Sequence, residues 1–311
     1  MKHRCLGLIP IILLSGITSL LLGTQSLATT VEPISPRIAQ QTANSDAAEQ
    51  IFNEAVELSQ QGTAESRRQA IPKFEQAVIL YRQAGDQRLE AVSLFFIGTA
   101  YESLGEFQQA LEYYNQALSL RRAVGDRGGE AITLYSIGTA YKSLGEFQQA
   151  LKFYNQVLSL YRAVGNRWWE AITLNNIGAV YSSLGEFEQA LEYYNQALPL
   201  FQAVGDRGGE ADTLNTIGAV YSSLGEQQQA LEFYNQALPL FQAVGDKGGE
   251  ARTLNNIGAV YYSLGEFQQA LEFYNQALPI FRAVGDRGGE ARILYNIEAV
   301  YDSLGEKHSG D

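Results

Sequence analysis

Histidine and cysteine are almost absent from this sequence of 311 residues. Histidine occurs only at positions 3 and 308, and the single cysteine is Cys5. Without histidine in the body of the chain there is no Ser-His-Asp triad, no histidine metal cluster and no general base that titrates near neutral pH. Without further cysteines there are no disulfides or thiolate metal sites. We therefore expect no enzymatic activity, no cofactor and no metal.

Basic residues are also few. Lysine and arginine together number 22 against 34 acidic residues, which gives a net charge of −12 at pH 7. A surface of this charge repels the phosphates of nucleic acids and of anionic lipid headgroups, so nucleic acid is not expected as a partner. The chain is nevertheless expected to fold, because 46% of its residues are hydrophobic and can form a substantial core.

The first 28 residues have the three-part pattern of a secretory signal peptide. Lys2 and Arg4 precede an apolar run over residues 6–22, and small residues at the end of the segment fit cleavage after Ala28. We predict an exported protein, periplasmic or secreted, with no membrane insertion once the signal is cleaved. The alternative is an uncleaved membrane anchor, although the run contains proline and glycine and is shorter than the ~20 residues that span a bilayer.

The segment that follows differs in composition from the rest of the chain. Residues 29–46 are rich in Thr, Ser, Gln and Pro and have no apolar periodicity. This composition is typical of a flexible linker. We expect a folded body over residues 47–306 and a short tail over residues 307–311.

A 40-residue repeat fills most of the folded body. Self-similarity at a fixed period of this size indicates an array of stacked units. Unit 1, residues 48–90, is less regular and carries extra residues around Gly62, and unit 7, residues 291–305, is a single capping helix. Units 2 to 6 lie at 91–130, 131–170, 171–210, 211–250 and 251–290.

Each full unit has the periodicity of two helices. In unit 4, Leu174, Ile177 and Tyr181 recur three and four residues apart and define the buried face of a first helix, A. Gly185 is suited to the left-handed conformation that ends a helix, and Asp206 is suited to cap the next helix A. The buried face of the second helix, B, is predicted to comprise Phe187, Ala190, Leu191, Tyr194, Ala197, Leu198 and Phe201.

Other recurrent residues have structural interpretations. Gly178 and its equivalents leave room for helix B to approach helix A closely. Glu106, Glu146 and Glu186 recur once per unit at the start of helix B, which favours capping and helix-dipole roles over paired catalytic carboxylates. The glycines follow helix ends, and the chain has no GxxxxGK[ST] motif and no strand-linked GxGxxG motif.

The spacing of these residues resembles that of tetratricopeptide repeats. The family's signature positions are occupied in unit 4 by Leu174, Ile177-Gly178, Tyr181, Ala190, Tyr194 and Ala197, and the pattern extends over residues 48–305. The unit is longer than the usual ~34 residues, begins with Leu in place of an aromatic residue and lacks the terminal proline. This long form is similar to repeats of polarity adaptors and of bacterial arrays that precede CHAT protease domains.

The resemblance implies both a fold and a mode of binding. The fold is all-α, a right-handed superhelical solenoid of antiparallel helix hairpins, and its concave groove binds a protein or peptide ligand. The second, fifth, sixth, ninth and thirteenth residues of each unit point away from the buried face of helix A and are expected to line that groove. The candidate partner-binding residues are Phe95, Phe96, Tyr135, Asn175, Asn176, Asn215, Arg252, Asn255, Asn256, Arg292 and Asn296.

Asparagine dominates this set in the later units. Its side-chain amide carries two donor hydrogens and an acceptor, so a ladder of asparagines can hold the main chain of an extended peptide. The alternative interpretation is that these asparagines are merely solvated and were duplicated together with the unit.

Departures from the repeat are also candidate sites. Trp168 and Trp169 replace the Gly-Gly pair that begins at positions 128, 208, 248 and 288, and they are either an interaction hot spot or a packing element over the neighbouring junction. Phe95 and Phe96 stand where units 4 and 6 have asparagine, and they either bind an apolar ligand side chain or pack beneath unit 1. Glu298 replaces the close-packing glycine and is predicted to face water, as in a terminal cap.

The sequence therefore favours a non-catalytic scaffold that binds partner polypeptides in the concave groove. Two alternatives remain. The near-identical units are compatible with a structural role through end-to-end self-association. The chain is also compatible with the sensor or adaptor part of a system whose CHAT-type protease is encoded separately.

Overall fold

The computed structural model describes residues 36–305, and every regular element in that range is a helix. The predicted signal peptide, the first part of the predicted linker and the tail lie outside the described residues. The thirteen helices of the described range are α1 (Pro36–Gln60), α2 (Ala64–Ala84), α3 (Gln87–Ser103), α4 (Phe107–Ala123), α5 (Arg127–Ser143), α6 (Phe147–Val164), α7 (Arg167–Ser183), α8 (Phe187–Val204), α9 (Arg207–Ser223), α10 (Gln227–Val244), α11 (Lys247–Ser263), α12 (Phe267–Ala283) and α13 (Arg287–Leu304).

Helix α1 corrects the predicted domain boundaries. The linker over residues 29–46 was expected to be flexible, and this is wrong for residues 36–46, which are helical. Alanine and glutamine in this segment favour a helix, and Pro36 is tolerated at the first position because its missing N–H would have no intrahelical partner. Asn44 also donates from Nδ2 to Oε1 of Gln83 in α2, at 3.4 Å. Residues 41–305 belong to one compact unit, and residues 36–40 fall outside it.

Odd-numbered helices are A helices and even-numbered helices are B helices. From α2 to α13, each helix packs against its predecessor and its successor in the chain, and successive A helices α7, α9, α11 and α13 also touch. Phe52 of α1 lies against Phe74 of α2, with ring centroids 5.3 Å apart. The predicted all-α solenoid of antiparallel helix hairpins is confirmed.

The junctions between helices form as the glycines predict. Gly185, after α7, has φ +76°, and its amide donates to Ser182 O while that of Glu186 donates to Tyr181 O. This pair of bonds is the Schellman motif, which satisfies carbonyls at a helix end. At the other type of junction, Oδ1 of Asp206 accepts from the amide of Gly209 at 2.9 Å and caps α9.

The glutamates at the start of the B helices do not cap them through their side chains. Glu106, Glu146 and Glu186 occupy the cap position of α4, α6 and α8, but no cap hydrogen bond involves their carboxylates. The predicted capping role is therefore wrong for these residues. Glu106 instead pairs with Arg68 of α2, with Nη2 and Oε1 2.7 Å apart, which links unit 1 to unit 2.

Helices A and B of each unit approach closely over the predicted glycine. A Cβ added to Gly178 would lie 2.7 Å from Cε1 of Tyr194, a ring that is only 1% exposed. A second aromatic contact closes the hairpin, because Tyr181 of helix A stacks on Tyr193 of helix B with centroids 5.3 Å apart. Equivalent stacked pairs occur in the other full units from 91 to 290. This shared core holds the outward-facing positions of the A helices in the same register in every unit.

Candidate functional site

The candidate site is the surface of the A helices that faces away from the core. We call it the A-helix face and define it by the second, fifth, sixth, ninth and thirteenth residues of units 2 to 7. The structure tests which of the side chains predicted to line it are accessible and which are engaged in packing or hydrogen bonds.

Aromatic residues at the beginning of this face belong to the core. Phe95 is 4% exposed, packs against Tyr114 and has the Arg121 guanidinium 4.8 Å above its ring. Phe96 is half-buried and contacts the rings of Phe52 and Phe74 from unit 1. Packing beneath unit 1 is therefore confirmed for Phe96, whereas Phe95 packs within its own unit. Phe95 is therefore not an accessible binding residue.

Tyr135 begins the polar part of the face. Its ring contacts Tyr154 and Trp169, and its hydroxyl accepts a hydrogen bond from Nδ2 of Asn176 at 3.0 Å. Asn176 also accepts from Nζ of Lys142 at 2.8 Å. Units 3 and 4 are thus joined through the side chains of the A-helix face.

The predicted asparagine ladder exists, but its members bind one another. Oδ1 of Asn215 accepts from Oγ1 of Thr253 at 3.1 Å and from Nδ2 of Asn256 at 3.3 Å. Nδ2 of Asn296 donates to Oδ1 of Asn255 at 3.0 Å. Each bond joins a unit to the next, so the ladder is part of the stacking interface and its amides keep only part of their hydrogen-bonding capacity for a ligand.

Two asparagines of the ladder differ in accessibility from what the sequence predicts. Asn255 is 7% exposed, and its Nδ2 donates to Asn256 Oδ1, so both ends of its amide are engaged inside the array. The prediction that Asn255 is an accessible binding residue is wrong for that reason. Asn175 donates from Nδ2 to Oγ1 of Thr213 at 2.8 Å, while its Oδ1 is buried without a hydrogen-bond partner among the described residues.

Charged groups enter the face at its second position. Arg252 lies 3.7 Å from Asp212 between Nη2 and Oδ1, and both side chains are accessible, at 42% and 60%. The surrounding protein raises the pKa of Asp212 to about 6 by desolvation; Arg252 opposes this shift, and Asp246 and Asp206 add to it. Arg292 is exposed, with its guanidinium 6.0 Å from the centre of the Phe281 ring. The later part of the face therefore carries both signs of charge.

The two tryptophans have contacts within the array. Trp169 stacks on Tyr161 with centroids 5.4 Å apart. At the later junctions the equivalent pairs are a glycine against a phenylalanine ring, as in Gly209 and Phe201. Trp168 donates from Nε1 to Oδ2 of Asp206 at 2.6 Å, which links one junction to the next. These contacts favour the packing interpretation over a hot spot, although both side chains remain partly exposed.

Buried tyrosines lie directly beneath the face. In unit 2 the hydroxyl of Tyr114 donates to Oε2 of Glu102 at 2.5 Å, and burial raises the pKa of that carboxyl while this bond and Lys142 oppose the shift. In unit 3 the hydroxyl of Tyr154 pairs with Oγ1 of Thr139 at 3.1 Å. In unit 4 the hydroxyl of Tyr194 is buried without a partner among the described residues.

Three residues at or beneath the A-helix face were not predicted as site residues from the sequence, namely Glu102, Lys142 and Tyr194. Glu102 and Lys142 occupy the twelfth position of their units, almost one helical turn after the ninth. A definition of the face that covered a wider arc of helix A would have included them. Tyr194 was recognised only as a core residue. The signal that could have identified it is the change from threonine at positions 99 and 139 to Ala179.

Residues 36–305 contain no group of three or more His, Cys, Asp or Glu side chains arranged to hold a metal ion. No helix in the same range is long and apolar enough to cross a membrane.

Comparison with known proteins identifies the repeat. The sequence matches the tetratricopeptide repeat family over residues 65–123, 104–163, 169–243 and 249–309, which together exceed half of the chain. No curated protein matches it. The chain therefore belongs to the tetratricopeptide repeat family.

Solved structures share the fold at low sequence identity. BtubC (BKLC) from P. vanneervenii is 22% identical, with a TM-score of 0.59 over 77% of this chain and 92% of BtubC. The apo form of RapI is 16% identical, with a TM-score of 0.61 over 83% and 99% of the two chains. The Rap conjugation gene regulator of plasmid pLS20, solved with the Phr* peptide, is 14% identical, with a TM-score of 0.60 over 82% and 80%.

Proposed function

We propose that this tetratricopeptide repeat protein is a non-catalytic scaffold that binds a protein or peptide ligand on its A-helix face. The observation that carries the proposal is the chemistry of that face in units 4 to 7. There, partly exposed amides, hydroxyls and charges follow one another at a constant register, including Asn176, Thr216, Arg252, Asn256 and Asn296. A structure of similar fold, the Rap regulator of pLS20, was solved with a bound peptide, which supports the same use of the fold here.

The polar groups of this face suit an extended polypeptide. Asparagine amides that bond to the preceding unit retain further lone pairs or a second hydrogen for a ligand's main chain. Arg252, only loosely paired at 3.7 Å, and the exposed Arg292 supply positive charge near the end of the face. These arginines favour a ligand with a carboxylate near that end.

The test compares two faces of the same helix pairs. The inner variant, Ser183→Arg with Ser223→Arg, changes exposed residues of the A-helix face whose hydroxyls bond only to the carbonyls of Ala179 and Ala219 in their own helices. The matched outer variant, Asn195→Arg with Asn235→Arg, places the same charge on exposed positions of the B helices. Neither variant disrupts a bond between units.

Affinity capture from envelope and culture-supernatant fractions provides the measurement. We expect a protein that is held by the wild type and the outer variant and lost from the inner variant. Equal capture by both variants would place binding elsewhere and contradict the proposal. Circular dichroism of the two variants controls for loss of fold.

The export of the protein is a separate proposal, based on the signal-like pattern of residues 1–28. We expect the protein isolated from the periplasm or the medium to begin at Thr29. Amino-terminal sequencing of protein from fractionated cells tests this. A full-length chain confined to the cytoplasm would contradict it.

A further inference from the structure

Packing alone does not require a tyrosine hydroxyl at the buried position beneath the A-helix face. The equivalent position of unit 1 is Phe74, which is fully buried. The neighbouring position is tyrosine in some units and phenylalanine in others, as in Tyr113 and Phe153. Units 2 to 6 nevertheless all have tyrosine at the twenty-fourth position, and all are at most 2% exposed: Tyr114, Tyr154, Tyr194, Tyr234 and Tyr274.

In units 2 and 3 the hydroxyl of this tyrosine has partners from its own unit. Tyr114 bonds to Glu102 and lies 3.5 Å from Oγ1 of Thr99, and Tyr154 bonds to Thr139. Ser136, the sixth residue of the next unit, is among the polar groups that affect the pKa of Tyr114, so it lies near this hydroxyl. The hydroxyl therefore reaches the ninth residue of its own unit, and in unit 2 the sixth residue of the following unit is nearby.

Unit 4 lacks the partner at the ninth position. Ala179 stands where Thr99 and Thr139 stand, and the Tyr194 hydroxyl is buried with no partner among the described residues. Oδ1 of Asn175 in the same unit is also buried with no partner there. The fifth residue and this tyrosine are neighbours within a unit, since the rings of Tyr135 and Tyr154 are 5.8 Å apart in unit 3.

One residue explains the missing partner of Asn175. In units 6 and 7 the sixth residue is asparagine, and its Nδ2 donates to Oδ1 of the asparagine at the fifth position of the preceding unit. In unit 5 the sixth residue is Thr216, whose hydroxyl donates to the carbonyl of Asp212 in its own helix at 2.7 Å. The ladder is therefore complete on both sides of unit 6 and interrupted between units 4 and 5.

We propose that a bound peptide supplies the carboxamide that Thr216 does not, through the side chain of an asparagine or glutamine. Its NH₂ group donates to Oδ1 of Asn175, and its carbonyl oxygen accepts from the hydroxyl of Tyr194. This inference rests on the proposed function and names the chemistry that the A-helix face selects. A buried donor and acceptor left unpaired are costly, and a ligand that pairs both recovers that cost on binding.

Charged side chains and the main chain of a peptide are less suited to the position between Asn175 Oδ1 and the Tyr194 hydroxyl, which we call the gap. A carboxylate cannot donate to Asn175, a lysine or arginine cannot accept from Tyr194, and either would bring a charge into a buried position. A trans main-chain amide directs its N–H and C=O in opposite directions, whereas a primary carboxamide presents both on one end. The flanking Ala179 and Thr216 are small and partly exposed, and threonine has two accessible rotamers in a helix, so the gap can open toward the face.

A library of random peptides displayed on phage and selected on the full-length protein is the probe. We expect peptides enriched on the wild type to contain asparagine or glutamine at one shared position. Replacing that residue by alanine in a synthetic peptide should weaken binding about tenfold on the wild type, as expected for two buried hydrogen bonds. In the variant Thr216→Asn, the new side-chain amide should itself pair with Asn175. Replacing the peptide's asparagine or glutamine by alanine should then leave its affinity for this variant unchanged.

Two further variants separate the gap from general effects on the face. Tyr194→Phe should remove most of the amide preference, and Tyr154→Phe, one unit earlier, should leave it intact. Face-binding peptides without an amide preference, or with the same preference on Thr216→Asn, would overturn this inference alone. Failure to enrich any peptide that the inner variant Ser183→Arg with Ser223→Arg rejects would overturn the proposed function as well.

Discussion

Units 2 and 3 and units 4 to 6 have the same hairpin but different A-helix faces. Both regions share the glycine-to-tyrosine contact, the stacked aromatic pair and the capped junctions. At the fifth position, however, units 2 and 3 carry Phe95 and Tyr135, which join aromatic clusters, whereas units 4 to 6 carry asparagines. The comparison teaches that the face can change from aromatic to amide-rich without a change in the core.

Equivalent substitutions in the shared core should lower the free energy of unfolding equally in both regions. Gly138→Ala and Gly178→Ala should each destabilise the protein by about 3 kcal/mol, because the added Cβ would lie 2.8 and 2.7 Å from a buried tyrosine ring. The measurement is the free energy of unfolding in denaturant. Gly128→Ala is the control, since its Cβ would meet nothing closer than 3.9 Å and alanine favours the helix. A large difference between the two core variants would mean that the hairpins are not equivalent.

The amide-rich region should depend on its ladder. Asn255→Ala should cost about 2 kcal/mol, because it leaves Oδ1 of Asn256 and Nδ2 of Asn296 without these partners. Thermal unfolding followed by circular dichroism measures the effect. Asn195→Ala, at an exposed position of α8, should change stability by less than about 0.5 kcal/mol. Equal effects of the two variants would show that the ladder does not hold the units together.

Removal of the buried tyrosine hydroxyl should affect the stability of the protein differently in the two regions. Tyr154→Phe should destabilise the free protein by about 1 kcal/mol, because the buried hydrogen bond between its hydroxyl and Thr139 is lost. Tyr194→Phe should be neutral or stabilising, because the hydroxyl that it removes has no partner among the described residues. Unfolding curves of the two variants against the wild type test this contrast. A similar loss in both would indicate that Tyr194 is already satisfied in the free protein.

The smallest expected effect is the pH dependence from Asp212. Its pKa of about 6 lies above the ordinary value of 3.8, so the folded protein holds this proton more tightly than the unfolded chain does. Ionisation therefore lowers stability as pH rises from about 4, and the loss is complete above about 6. The effect is small because the side chain is 60% exposed.

The variant Asp212→Asn cannot ionise. Its melting temperature relative to that of the wild type should rise between pH 4 and pH 7. Glu188→Gln, at an exposed position in the first turn of α8, provides a comparison outside the A-helix face. A constant difference for Asp212→Asn across this range would contradict a raised pKa.

Much of the fold could be predicted because its rules are local. The period of Leu174, Ile177 and Tyr181, the glycine ends and the Asp206 cap each act within a few residues, and the structure confirms them. The linker prediction failed over residues 36–46 because Thr, Ser, Gln and Pro without apolar periodicity suggested a flexible segment, whereas these residues form the first part of α1. Composition alone does not reveal that a helix further along the chain can extend backwards.

The sequence by itself determined the repeat, the hairpin and the set of positions that face away from the core, since helical periodicity fixes which side chains share a face. Only the tertiary structure decided which of those side chains remain available. Stacking brings the fifth residue of one unit to the sixth of the next, so Asn256 donates to Asn215. Thr216 donates within its own helix instead, and Asn175 keeps a buried oxygen without a partner among the described residues. Such pairing depends on the distances between side chains of neighbouring units. The stacking of the units sets these distances, and the sequence of a single helix does not reveal them.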